Sequence, residues 1–115
     1  MKVIKSEENL VEFDNGLQII GDGERDCCAE NYLDFEQFAV GTEFPTMTVG
    51  GLVDSINLKE DGFALTDSQG LPKWVQARSS QNGYYSTSTT VIVKQGKTSV
   101  TLGVLEGELC DERFN

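Results

Sequence analysis

The chain has 115 residues, 38% of them hydrophobic, with 19 acids against 9 bases, three cysteines and no histidine. That length suits one compact domain with a modest core and is too short for two. A domain of this size folds without the metals or disulfides on which chains of about 40 residues or fewer depend. A formal charge of −10 argues against holding a nucleic-acid backbone or an anionic membrane, because phosphate contacts need clustered Lys and Arg.

The charge is uneven. Residues 1–62 carry 14 acids and 4 bases, residues 63–105 carry 1 and 4, and residues 106–115 carry 4 and 1. An acidic front half permits a protein partner with a basic surface, steered in by the field; the plainer reading is solubility by self-repulsion. Without histidine, zinc chemistry is disfavoured and no cofactor is expected. The first residues, Met1 to Glu8, hold no apolar leader segment, and no window nears the ~18 apolar residues of a membrane span. With an odd number of cysteines, the expectation is a reduced, cytoplasmic protein.

The apolar pattern has period two almost throughout, the signature of strands. A first short strand is expected at Lys2–Lys5. Asn9–Phe13 and Leu17–Ile20 flank Asp14-Asn15-Gly16, a hairpin signal of the type I′ kind, in which both central residues take positive φ. The pattern then shifts, and residues 33–40 read as a short helix. Asp34 would be its N-cap, Gln37 the reciprocal partner, Leu33 and Phe38 a hydrophobic staple, and Gly41 the left-handed stop. Thr46–Val49 and Leu52–Leu58 read as extended segments around a bulge at Gly50-Gly51.

Further strands follow at Phe63–Asp67, Lys73–Arg78, Tyr84–Lys94 and Thr98–Leu105. Turns at Glu60-Asp61-Gly62, Ser68-Gln69-Gly70, a second Asn-Gly turn at Asn82-Gly83, and Gln95-Gly96-Lys97 join them. The expected fold is α+β but mostly β. It is a single domain spanning residues 1–115, with about eight short antiparallel strands in a curled or barrel-like sheet and one short helix near residues 33–40.

Three groups of residues carry chemistry. The first is Cys27-Cys28. Adjacent cysteines cannot easily bridge one another. A helix cap at Asp26 would lower their pKa, while Glu24, Asp26 and Glu30 would raise it. A packed, inert pair, a disulfide from one of them to Cys110, and a reactive or metal-bound thiol all remain open. The second group is acidic: Asp22, Glu24, Asp26, Glu30, Asp34 and Glu36. It suits a basic partner or a hard cation, but lacks the glycine and the distal glutamate of a calcium loop.

The third group is Trp74, Arg78, Tyr84 and Tyr85, residue types enriched where proteins bind partners or stack on planar ligands. Its plain reading is a hairpin with one aromatic face on the core. No catalytic triad, phosphate-binding glycine loop or Cys-x-x-Cys motif is present, so no enzyme is indicated.

The Asp26-Cys27-Cys28 element after an Asn15-Gly16 turn, with Asn82-Gly83-Tyr84-Tyr85 late in the chain, resembles a family of small uncharacterised proteins from bacteria and their phages. The resemblance implies a small β-rich domain in a phage or mobile-element setting and brings no activity with it. The function expected is that of a small acidic accessory protein. It would bind another protein through its acidic half, as a modulator or as a nucleic-acid mimic. The alternative is a small-molecule binder using Trp74, Arg78, Tyr84 and Tyr85.

Overall fold

The computed structural model of the chain describes residues 1–23, 29–81 and 85–110, Cys110 by its backbone alone. The described elements run β1 (Val3–Glu7), β2 (Leu10–Phe13), β3 (Gln18–Gly23), β4 (Ala29–Asp34), α1 (Val49–Ser55), β5 (Asn57–Leu58), β6 (Gly62–Thr66), β7 (Pro72–Gln81), β8 (Ser88–Gln95), β9 (Thr98–Glu106) and β10 (Glu108–Cys110). The chain is mostly β, as its periodicity predicts.

The architecture differs from a single curled sheet. Ten described strands form two sheets that do not close into a barrel: β1-β2-β3-β8-β9, and β10-β7-β6-β5 with β4 also on β7. Both β4 and β6 pair Gln76, and both β4 and β10 pair residues 78–80. So β4 holds one edge of β7, while β6 and β10 share the other. β10 runs parallel to β7, a departure from an all-antiparallel expectation.

The inner faces of both sheets supply one core. Val11, Phe13, Ile19, Val91 and Val93 come from the first sheet, and Leu33, Phe63, Leu65, Val75 and Ala77 from the second. Phenylalanine rings bridge the sheets. Phe63 meets Phe35 (6.4 Å), Phe35 meets Phe38 (5.7 Å), Phe38 stacks on Phe44 (5.2 Å), and Phe44 meets Phe13 edge-on (5.6 Å). Such pairs add about 0.5–1.5 kcal/mol each beyond the area they bury.

These rings explain why residues 33–40 are not a helix. Leu33 and Asp34 end β4. The Asp34 carboxylate accepts from Glu36 N–H (3.0 Å), two residues on, which is an Asx turn and not a helix cap. A tight turn from Phe35 to Phe38 (2.8 Å) then drives both rings inward. The helix lies later, at α1, where Thr48 caps it by accepting from Gly51 N–H (3.1 Å). Gly50 and Gly51 oppose a helix by about 1 kcal/mol each relative to alanine. Full burial of Leu52, worth about 1.5–3 kcal/mol, offsets them.

The first expected hairpin is present, with Leu10 opposite Ile20 and Val11 opposite Ile19. Its turn is the three-residue form. Gly16 N–H donates to Phe13 O (3.0 Å), Phe13 N–H donates to Leu17 O (2.8 Å), and only Gly16 (φ 88°) is left-handed. The second Asn-Gly turn joins no hairpin. β7 belongs to one sheet and β8 to the other, so the chain crosses between sheets there. Asn82, Gly83 and Tyr84 themselves lie outside the described residues.

Two polar joints fix how the sheets sit. Asn9, left-handed at φ 65°, ends the β1–β2 turn. Its side-chain Oδ1 accepts from Leu33 N–H (2.8 Å), its own N–H donates to Leu33 O (3.3 Å), and its carbonyl accepts from Gly21 N–H (2.9 Å). Gly21 is required beside it, since a Cβ there would stand 2.5 Å from Asn9 Oδ1 and 2.7 Å from Leu33 Cγ.

The second joint is buried. Asn31 Oδ1 accepts from Ser79 Oγ (2.5 Å), and Asn31 Nδ2 donates to Ser86 O (2.7 Å). Gln81 Nε2 donates to Ser79 Oγ (2.6 Å) and to Ser86 O (3.0 Å), while Gln81 Oε1 accepts from Tyr85 N–H (2.8 Å). This network ties the approach to β8 onto the second sheet.

Asn9→Ala should lower the unfolding free energy by about 2–4 kcal/mol, the sum of an orphaned Leu33 N–H and left-handed strain. Asn9→Gly tolerates the backbone and should lose only about 1–2 kcal/mol. Urea denaturation compares them, and equal losses would remove the backbone half of the explanation. Asn31→Ala should cost about 2–4 kcal/mol by orphaning buried partners, read as a fall in Tm; an unchanged Tm would show that the network contributes nothing net.

Candidate functional site

The outer face of the second sheet gathers most of the described residues singled out from the sequence. On β7, Trp74, Gln76 and Arg78 alternate outward while Val75 and Ala77 point into the core. Across the β4–β7 ladder, Asp34 lies opposite Gln76, Tyr32 opposite Arg78, and Glu30 opposite Ser80. Glu108 of β10 stands opposite Arg78 on the other side.

Arg78 is therefore set among acids. Its Nε donates to Asp34 Oδ2 at 2.9 Å, and its guanidinium lies 3.6 Å from Glu108. The Asp34 hydrogen bond is the largest influence holding the Arg78 pKa above its ordinary value, so the guanidinium stays charged. Trp74 Nε1–H donates to Gln76 Oε1 (2.9 Å), and Gln76 Nε2 donates to the Asp61 carbonyl (3.1 Å). The indole lies over Gly62, where any Cβ would run into the ring. Trp74 N–H donates to Gln37 Oε1 (2.8 Å), which ties the 35–38 turn to β7. A cleft of about 130 Å³ lies between Asp34, Glu36, Gln37, Trp74, Gln76 and Arg78.

The Asp34–Glu36 turn has a second cleft on its other side. About 210 Å³ is lined by Ser6, Glu7, Glu8, Asp34, Phe35 and Glu36. The Asn9–Leu33 joint produces this arrangement, because Glu7 and Glu8 precede Asn9 in sequence while Asp34 and Glu36 follow Leu33. Two acidic stretches far apart in the chain thus meet on one rim. Among the described residues, Lys5 lies 3.3 Å from Glu7, and Arg78 holds Asp34.

The structure divides the acidic set. Glu30, Asp34 and Glu36 share the side just described. Asp22 is exposed on the outer face of the first sheet, opposite Thr90 of β8, and so lies across the core from them. Glu24, Asp26, Cys27, Cys28 and Tyr84 lie outside the described residues, as does the Cys110 side chain. Tyr85, 36% exposed, follows Gln81 at the far end of β7 from Trp74. Seven residue-to-residue steps of extended strand run from Trp74 to Gln81, roughly 23 Å, so Trp74 and Tyr85 do not face one pocket.

Glu7, Glu8, Gln37 and Glu108 belong to the site yet were not singled out from sequence. No local sequence signal marks Glu7 and Glu8, whose place follows from the contact between Asn9 and Leu33. Among the described residues no group of three or more His, Cys, Asp or Glu is placed to hold a metal ion, and no helix is long and apolar enough to cross a membrane.

Comparison with protein-family models, with curated proteins and with solved structures found no match for the chain.

Arg78→Met should lower stability by about 1–2 kcal/mol in thermal melts, the Asp34 bond being partly exposed and therefore discounted. Arg78→Lys should recover less than half of that, since an ammonium does not reproduce the guanidinium geometry. Full recovery by lysine would reduce Arg78 to a point charge.

Proposed function

We propose that this chain is an acidic protein-binding module that engages a basic surface of its partner through the rim around the Asp34–Glu36 turn. One observation carries the reading: Glu7, Glu8, Asp34 and Glu36, from two separate stretches, line a single cleft. Charge at an interface mainly sets encounter rate and choice of partner. An acidic rim on a chain of charge −10 selects basic surfaces and rejects acidic ones.

The acidic balance also suits mimicry of a nucleic-acid backbone, with carboxylates standing where phosphates would in a basic groove. The phage or mobile-element setting implied by the two sequence motifs would make the partner a host protein. A small-molecule site at Trp74 and Arg78 has less to support it, because the cleft beside them holds about 130 Å³, below the roughly 300–1,000 Å³ of typical ligand pockets.

A lysine-rich peptide titrated calorimetrically at low salt tests the reading. It should bind, and binding should fade as salt shortens the screening length. The combined Glu7→Gln, Glu8→Gln and Glu36→Gln variant should bind about tenfold more weakly, while Asp22→Asn on the opposite face should stay within about twofold. Equal losses from the two variants would leave net charge as the only cause and remove the rim.

A further inference from the structure

The core-facing side of the second sheet ends in two charges. On β6 it runs through Phe63 and Leu65, both buried, and Asp67 comes two residues later. On β7 it runs back through Ala77 and Val75, also buried, to Lys73, which lies opposite Leu65. Alternation along the strands therefore sets Asp67 and Lys73 together at the rim of the core.

Residues 41–44 form the facing wall. They follow the outer edge of β1: Val3 N–H donates to Thr42 O (2.9 Å), Gly41 N–H to Val3 O (2.8 Å) and Phe44 N–H to Met1 O (2.8 Å). Ser68 N–H donates to Glu43 O (2.9 Å) and ties the β6–β7 turn to this wall. The cleft that both border holds about 440 Å³, within the roughly 300–1,000 Å³ of ligand-binding clefts. It shares no residue with the cleft of the acidic rim.

The Asp67 carboxylate is fixed before anything binds. Its Oδ1 accepts from Gln69 N–H and Leu71 N–H (2.9 Å each), and its own N–H donates to Leu71 O (2.9 Å). A neutral asparagine oxygen would close this turn as well. The second oxygen, Oδ2, has no part in the turn. Its partner is Lys73 Nζ at 3.8 Å, beyond hydrogen-bond reach. Among the described residues Oδ2 accepts no hydrogen bond and Lys73 Nζ donates none. The Asp67 side chain is 6% exposed and that of Lys73 27%. A carboxylate taken this far out of water is stabilised by donors to its remaining lone pairs.

We propose that this cleft binds a neutral polyol, a sugar ring with adjacent hydroxyls. A hydroxyl both donates and accepts, so a vicinal pair donates to Asp67 Oδ2 and accepts from Lys73 Nζ at once, filling the gap between them. Neither charge is displaced. An anion would draw Lys73 from a carboxylate that is almost fully buried, and a cation would meet the Lys73 ammonium at the same oxygen. The neutral lining matches a polyol too. The Thr42 and Ser68 hydroxyls and the Gln69 amide donate and accept alike, and Leu71, 52% exposed, offers an apolar contact to the C–H face of the ring. Glu43, the other acid of the cleft, is exposed and lies 3.6 Å from Lys2. With its acceptor already held by the turn, the site loses little freedom on binding.

Amide chemical shifts followed by NMR test this on the full chain. D-Glucose, D-galactose, D-mannose and N-acetyl-D-glucosamine are each added to about 50 mM. At least one should shift the Ser68, Gln69 and Leu71 amides along a saturating curve with a millimolar Kd, leaving the Asp22 amide unmoved. Lys73→Met keeps the stem and removes the donor, and Asp67→Asn keeps the turn and removes the acceptor. Each should weaken binding by about tenfold, with thermal melts to confirm folding. Should Asp67→Asn fail to fold, Lys73→Met decides alone. The proposal is overturned if none of the four sugars shifts those amides, or if a folded variant binds as tightly as the parent chain. It is equally overturned if glycine, acetate or ethylammonium shifts the same amides at lower concentration than any sugar.

Discussion

The backbone of Asn9 is the constraint on which the site depends. A left-handed residue at the end of the β1–β2 turn lets one side chain and one peptide group grip Leu33 of the other sheet, while the Asn9 carbonyl takes the Gly21 amide. Two hydrogen bonds to Leu33 thereby fix the distance between a turn of the first sheet and the edge of the second, while the bond to Gly21 anchors that turn on its own sheet. Beside that grip, the Ser6 hydroxyl donates to Phe35 O at 3.4 Å, a longer contact that also keeps Glu7 and Glu8 near Asp34 and Glu36. Asparagine suits the position because it tolerates positive φ better than other side chains and can bond locally while doing so.

The phenylalanine rings do the complementary, apolar part of the work. Residues 35–44 cross the end of the sandwich, where a regular helix would present one apolar stripe. The actual segment sends Phe35, Phe38 and Phe44 inward from irregular backbone and covers the β1 edge with residues 41–44. One segment thus seals the core, protects one sheet edge and carries the Asp34–Glu36 turn outward. The Asp34 carboxylate closes its own turn through Oδ1 and binds Arg78 through Oδ2, which orders the rim without adding net charge to it.

Much of the strand content was legible because alternation of apolar and polar residues survives wherever one face is buried. Leu10–Phe13 with Gln18–Gly23 shows this, as does Lys73–Arg78 within β7. The two-sheet arrangement was not legible. An Asn-Gly pair at residues 82–83 carries the same local preference as the one at 15–16, and only the destination of the next strand distinguishes a hairpin from a crossing.

The helix was misplaced for a related reason. Asp34 and Gln37 satisfy the spacing of a helix start, yet Leu33 is wanted by the β4–β7 ladder and Phe35 by the core. At 49–55 two glycines argued for extended chain, and the tertiary burial of Leu52 decided otherwise. Within the site, Asp34, Glu36, Trp74 and Arg78 were recognisable by residue type. The contribution of Glu7 and Glu8 was not, because it arises from a contact between residues 9 and 33 that no local pattern announces.

The most direct measurement is hydrogen exchange at the Leu33 amide, which donates to Asn9 Oδ1 on the side of β4 away from β7. If the two sheets are clamped as described, that amide should exchange only through global unfolding, at the rate of core amides such as Ile19 and Val75. Exchange as fast as an exposed turn, with the core strands still protected, would show the β4 edge open and would contradict the assembly of the acidic rim.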